Sequence, residues 1–160
     1  MTSHARSDFR TALLAALMVS GSVCAALAAP VPLPMEKATD VNGITATCTG
    51  AGSNDRRKAD AKAYPLKLEF VGGYGQYLGQ ETVDVASRGG HRIVSVSCSE
   101  PWVLMRLTPG RYRISADVPG GMLKTRWVHV TASNAQRRVI FRYPSFMDGA
   151  PAGRTASSGV

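Results

Sequence analysis

The residues able to do chemistry in this chain are few, and most of them are arginines. Arg111 and Arg113 alternate along one segment, Arg126 stands in the next, and Arg137, Arg138 and Arg142 surround a third. A guanidinium offers a rigid fork of donors that pairs two at a time with phosphate or carboxylate. If those segments are neighbouring strands, Arg111, Arg113 and Arg126 form a candidate anion-binding patch. The competing reading is a solvated polar face that keeps a sheet soluble. The whole chain carries 19 Lys and Arg against 11 Asp and Glu, a net charge of +8, which favours acidic partners such as lipid head groups, anionic polymers or an acidic protein.

Catalysis finds little to work with. General acid–base chemistry needs carboxylates or histidines held together in a pocket. His91 falls in a glycine turn and His129 on the polar parity of a strand, and neither has a carboxylate close by in sequence. No G-x-S-x-G elbow is present for serine chemistry. The run Gly72-Gly73-Tyr74-Gly75, with Gly79, has neither the following helix nor the lysine of a phosphate loop, and reads as a bulged turn. Tyr74, Tyr77 and Trp127 are too few to suggest stacking of successive bases. The expectation is a non-enzyme with no cofactor, no metal and no nucleic-acid partner.

The first 29 residues set the compartment. Arg6 and Arg10 precede an apolar run from Thr11 to Leu27, which closes on Ala26-Leu27-Ala28-Ala29 before Pro30. A basic end, a short apolar middle and a small-x-small exit form the pattern of a secretory signal peptide, with cleavage expected after Ala28 or Ala29. Ser20, Gly21 and Ser22 interrupt the run, which falls short of the roughly 20 apolar residues of a membrane span. Val23 and Gly21 before Cys24 do not fit a lipidation signal. Removal of Arg6, Arg10 and Asp8 with the leader lowers the net charge from +8 to +7. The mature chain is therefore expected in the periplasm or secreted, with no transmembrane segment, as one domain and a monomer. Cys48 and Cys98 remain from three cysteines. In an oxidising compartment such a pair is expected to form a disulfide.

The elements that would position these groups are short strands. Pro30, Pro32 and Pro34 make residues 30–40 an extended linker. Residues 41–49 suit a strand ending near Cys48. Residues 53–63, with Ser53 or Asn54 as cap, Asp55 in the first turn, alanines at 59, 61 and 63, and Pro65 as stop, suit one short surface helix. From Tyr64 the period becomes two: Tyr64, Leu66, Leu68 and Phe70 share a face. Further strands are expected over 82–86, 92–98, 102–107, 111–118, 123–130 and 137–143, separated by Gly/Pro turns. The domain spans 41–143, and the Gly-, Ala- and Ser-rich tail 144–160 is expected to be disordered. About seven strands and one helix describe an all-β, Ig-like Greek-key sandwich.

Pro101 to Ile114 contains a strand, then Leu107-Thr108-Pro109-Gly110-Arg111-Tyr112, then an alternating strand. This L-x-P-G-x-Y pattern resembles the carboxypeptidase-regulatory-like domains of the transthyretin-type sandwich. With Leu66-Lys67-Leu68-Glu69-Phe70 before a Gly/Tyr loop ending in Tyr77-Leu78, it is similar to small exported proteobacterial proteins of that group. The likeness covers Tyr64 to Tyr143. It implies a seven-stranded sandwich that accompanies other machinery without an active site, with Leu107 and Tyr112 in the core and Pro109 and Gly110 in a turn. The hydrolase of 5-hydroxyisourate on this general fold ends in Tyr-Arg-Gly-Ser; here the last strand reads Phe141-Arg142-Tyr143-Pro144-Ser145 and departs from it. The partner implied is an envelope protein, with an anionic glycolipid or polysaccharide bound through the arginine face as the alternative.

Overall fold

The computed structural model describes residues 28–50, 63–133 and 135–145. The expected helix, the leader up to residue 27 and the tail from residue 146 lie outside the described residues. Ten strands are found instead of the expected seven. They are β1 (Val31–Pro32), β2 (Thr39–Val41), β3 (Ile44–Thr49), β4 (Leu66–Gly72) and β5 (Glu81–Ser87), followed by β6 (Arg92–Cys98), β7 (Trp102–Met105), β8 (Gly110–Asp117), β9 (Lys124–Val130) and β10 (Arg137–Tyr143). They form two five-stranded sheets, ordered β1-β6-β5-β8-β9 and β10-β4-β7-β3-β2. Both sheets are mixed, because β1 runs parallel to β6 and β10 parallel to β4.

Two of the additional strands come from the segment read as a linker. Val31 pairs with Val96, the Leu33 amide donates to the Ser97 carbonyl at 2.8 Å, and Leu33 is buried. Val31–Pro32 and Thr39–Val41 therefore belong to the sheets, and proline at a two-residue edge strand removes no ladder bond that the sheet needs. The segment expected as one strand up to Thr49 is a hairpin instead. Asn42 and Gly43 both have positive φ, 54° and 78°, between the paired residues Val41 and Ile44, the two-residue turn that an Asn-Gly dipeptide favours.

The period-two pattern explains the core. Leu66, Leu68 and Phe70 of β4 and Val139, Phe141 and Tyr143 of β10 face Val83, Val85, Val94, Val96, Ile114 and Val128 of the other sheet in one buried cluster. Phe70 and Phe141 stack at 5.6 Å between ring centroids. Side-chain links cross between the sheets. The Tyr143 hydroxyl donates to the Ala116 carbonyl at 2.8 Å, and Cys48 on β3 is bonded to Cys98 on β6. Tyr112 reaches back to its own turn, donating to the Thr108 carbonyl at 2.9 Å, while Leu107 and Tyr112 lie in the core. Among the described residues no helix is long and apolar enough to cross a membrane.

Candidate functional site

The arginines do not share one face. Register places Arg111 opposite His129 and Arg113 opposite Trp127, with Arg126 opposite Ile114. Opposed residues in an antiparallel pair project to the same side, and Ile114 is in the core. Arg126 therefore stands on the inward parity of β9. Its guanidinium carbon lies 5.8 Å from the Phe141 ring, and Lys124, also inward, has its ammonium 5.5 Å from the Tyr143 ring. These two cations roof the side of the sandwich between β9 and β10. The expected triad of Arg111, Arg113 and Arg126 thus separates, because position 126 is an odd number of residues from the outward-facing Trp127 and His129.

What Arg111 and Arg113 do share their face with is Trp127 and His129, all four exposed. The Arg111 guanidinium lies 5.1 Å from the Trp127 ring, within cation–π range. One strand further in, Ala86 is opposite Arg113, and on its other side Ala86 is opposite Arg92. Arg92 makes a salt bridge to Asp84 at 3.6 Å and donates to the Ala28 carbonyl at 3.0 Å. The bulge between Val85 and Ala86 turns Arg92 onto this row. Of the carboxylates on this face, Asp84 stands on the row next to Ala86, opposite Ser115, and Asp117 stands further along, opposite Thr82.

A second charged group has no signature in the sequence. On the outer face of the other sheet, the buried Glu69 accepts from Arg138 and pairs with Lys67 at 2.8 Å. The Lys67 ammonium sits 3.3 Å from the centre of the Trp102 ring, which meets Tyr77 edge-on at 5.7 Å. Burial alone would raise the Glu69 pKa, but the hydrogen bonds from Arg138 and Lys67 outweigh it and hold the carboxyl below its ordinary value. Residues 67, 102 and 138 are brought together by the β10-β4-β7 order, for which no local sequence signal exists.

Glu81 is the opposite case. It is wholly buried, neither carboxylate oxygen has a hydrogen-bond partner, and burial pushes its pKa up to about 9, helped by the nearby Glu100. It is the register partner of Cys98 and faces the core beside the disulfide.

His91 is exposed in the β5–β6 turn and His129 is exposed on β9. Among the described residues no group of three or more His, Cys, Asp or Glu could hold a metal ion. A depression of about 320 Å³ is lined by Pro65, Leu107, Pro109 and residues 131–133, and its walls hold no titratable side chain.

The open edges differ in length and protection. β1 and β2 are two and three residues long, and β10 carries Arg137, Arg138 and Arg142. The β9 edge is seven residues long and follows a turn in which Met122 and Leu123 are 77 % and 66 % exposed. Gly121 of that turn packs against Tyr143, whose register partner is Gly72. The β8–β9 turn and the loop after β4, with its exposed Tyr74 and Tyr77, therefore belong to the same end of the molecule. No family model matches the chain, and no curated protein matches it.

Proposed function

We propose that the protein is a non-catalytic accessory module of the bacterial envelope, exported to the periplasm, which captures an extended segment of another envelope protein along β9. The observation that carries this reading is the β9 edge itself. A seven-residue strand ends its sheet unpaired among the described residues, beside the exposed Met122 and Leu123. An exposed strand edge supplies main-chain donors and acceptors to an incoming strand, and neighbouring side chains supply selectivity. Proteins that must not pair indiscriminately shorten or charge such edges. Here Lys124 and Arg126, turned inward over aromatic rings, guard the edge against indiscriminate pairing and favour an acidic incoming segment.

The likeness of Leu107-Thr108-Pro109-Gly110-Arg111-Tyr112 to carboxypeptidase-regulatory-like domains supports the same reading, since such domains accompany other machinery. The disulfide is in keeping with an oxidising compartment, and the first strand begins at Val31, beyond both expected cleavage points.

The test is affinity capture from periplasm after mild cross-linking, at low and moderate salt, with the wild-type chain and a Met122→Asp/Leu123→Asp variant. Strand capture predicts one protein enriched at both salts by the wild type and reduced at least fivefold with the variant. Equal recovery by the two proteins, or recovery of nothing but anionic polymer at low salt, would overturn it.

A further inference from the structure

The outer face of the β6-β5-β8-β9 strands carries a row of side chains that strand capture does not use. Across one row of the sheet the residues are Arg92, Ala86, Arg113 and Trp127, on four consecutive strands. Ala86 is outward-facing and small, so the two arginines flank a low floor. Two inter-strand spacings separate their backbones, about 10 Å, a gap that two long side chains can close around one anion. Ala86 is 7 % exposed although it is absent from the core cluster, as expected for a floor overhung by its neighbours. Arg111 and His129 stand on the row to one side, while Asp84, the salt-bridge partner of Arg92, stands on the row to the other. Asp84 takes Nη1 of Arg92 and the Ala28 carbonyl takes Nη2, so an anion would be held by the rest of the five donors a guanidinium distributes.

We propose that this row is a binding site for an anionic saccharide, in which Arg92 and Arg113 bracket a phosphate or carboxylate above Ala86 and Trp127 stacks against the sugar ring. Two guanidiniums recognise a planar or tetrahedral anion in a way that scattered lysines do not. Trp127 is 49 % exposed and lies directly beside Arg113, so an apolar sugar face meets indole where the charged substituent meets the arginines. A nucleic acid fits less well. Binding successive bases requires successive exposed aromatics, and Tyr74 and Tyr77 belong to the loop after β4, away from this row. Arg111, over the indole ring, fixes the orientation of Trp127 and adds charge at the edge of the site.

The test uses the full mature chain, isothermal titration and tryptophan fluorescence at 20 and 150 mM salt. Probes are an oligogalacturonate trimer, glucosamine 6-phosphate, neutral maltotriose and a single-stranded oligonucleotide. The site predicts saturable binding of at least one charged sugar at 150 mM salt with a change in fluorescence, and none of maltotriose. Arg113→Ser and Arg92→Ser each lower that affinity at least tenfold, while Arg137→Ser, which removes the same charge elsewhere, changes it less than twofold. Trp127→Ala lowers affinity for the charged sugar at least threefold. Absence of saturable binding overturns the proposal, as does an oligonucleotide bound as tightly as the sugars with Arg137→Ser as harmful as Arg113→Ser. Unchanged sugar affinity in Trp127→Ala overturns the saccharide assignment. Met122→Asp/Leu123→Asp binds the sugars normally, so failure here and failure of strand capture are separable.

Discussion

Glu81 and Glu69 show how differently two strands of one sandwich treat the same side chain. Glu69 faces outward, where Arg138 and Lys67 reach it, so its charge is retained at the cost of ordering two long side chains. Glu81 faces inward beside the disulfide, with no partner for either oxygen, and a buried carboxyl without a partner remains neutral. The two groups act on stability with opposite sign. Glu69, with a lowered pKa, contributes stability above its unfolded value that is lost as pH falls through the folded value. Glu81 has a folded pKa of about 9 against an ordinary value of 4.5. The folded state therefore holds the proton more tightly, and the Glu81 contribution to stability is greatest below pH 4.5 and declines as pH rises towards 9. A tenfold difference in proton affinity between the folded and unfolded chain corresponds to about 1.4 kcal/mol. Glu81→Gln should therefore gain about 2–4 kcal/mol relative to wild type between pH ~5 and pH ~8. Urea unfolding of both proteins at the two pH values measures this. An equal difference at both would show that Glu81 remains charged in the fold.

Among the elements, the cross-sheet disulfide has the clearest energetic role. It joins β3 to β6 across a sequence separation of 50 residues, and closing a loop of that length in the unfolded chain stabilises the fold by roughly 4 kcal/mol. A Cys48→Ala/Cys98→Ala protein should unfold at a markedly lower urea concentration, with the pH dependence from Glu81 retained; an unchanged midpoint would mean that the bridge constrains little. The strands and this pair are legible in the sequence because both depend on local pattern. Val83 and Val85, Tyr112 and Ile114, and Val139, Phe141 and Tyr143 alternate with polar residues, and the same parity places Cys98 inward. The β1 strand is not legible, since Pro30, Pro32 and Pro34 indicate an extended chain whether or not a sheet lies beside it. The β2–β3 hairpin does have a signal, Asn42-Gly43 between Val41 and Ile44, a recognisable turn. Arg126 parts from the Arg111–Arg113 face because sequence distance between two strands does not fix their register. Register depends on the length of the intervening turn, residues 118–123.

At the scale of the molecule, charge and apolar exposure are arranged unevenly. Arginine lies on the outer face of β8 and along β10, inward cations cover the side between the sheets, and the long apolar side chains left exposed include Met122, Leu123 and Trp127 around β9. That arrangement is the basis of the recognition role proposed for the β9 side. Little of this is legible in the sequence, because it follows from strand order. Residues 92, 86, 113 and 127 form one row only because β6, β5, β8 and β9 are consecutive in the sheet. The most direct test is site-specific photo-cross-linking in intact periplasm, with the reactive group placed at Thr125 on β9 or, for comparison, at Arg137 on β10. Capture along β9 predicts a single protein adduct from position 125 and none from position 137. No adduct, or the same adduct from both positions, would contradict it.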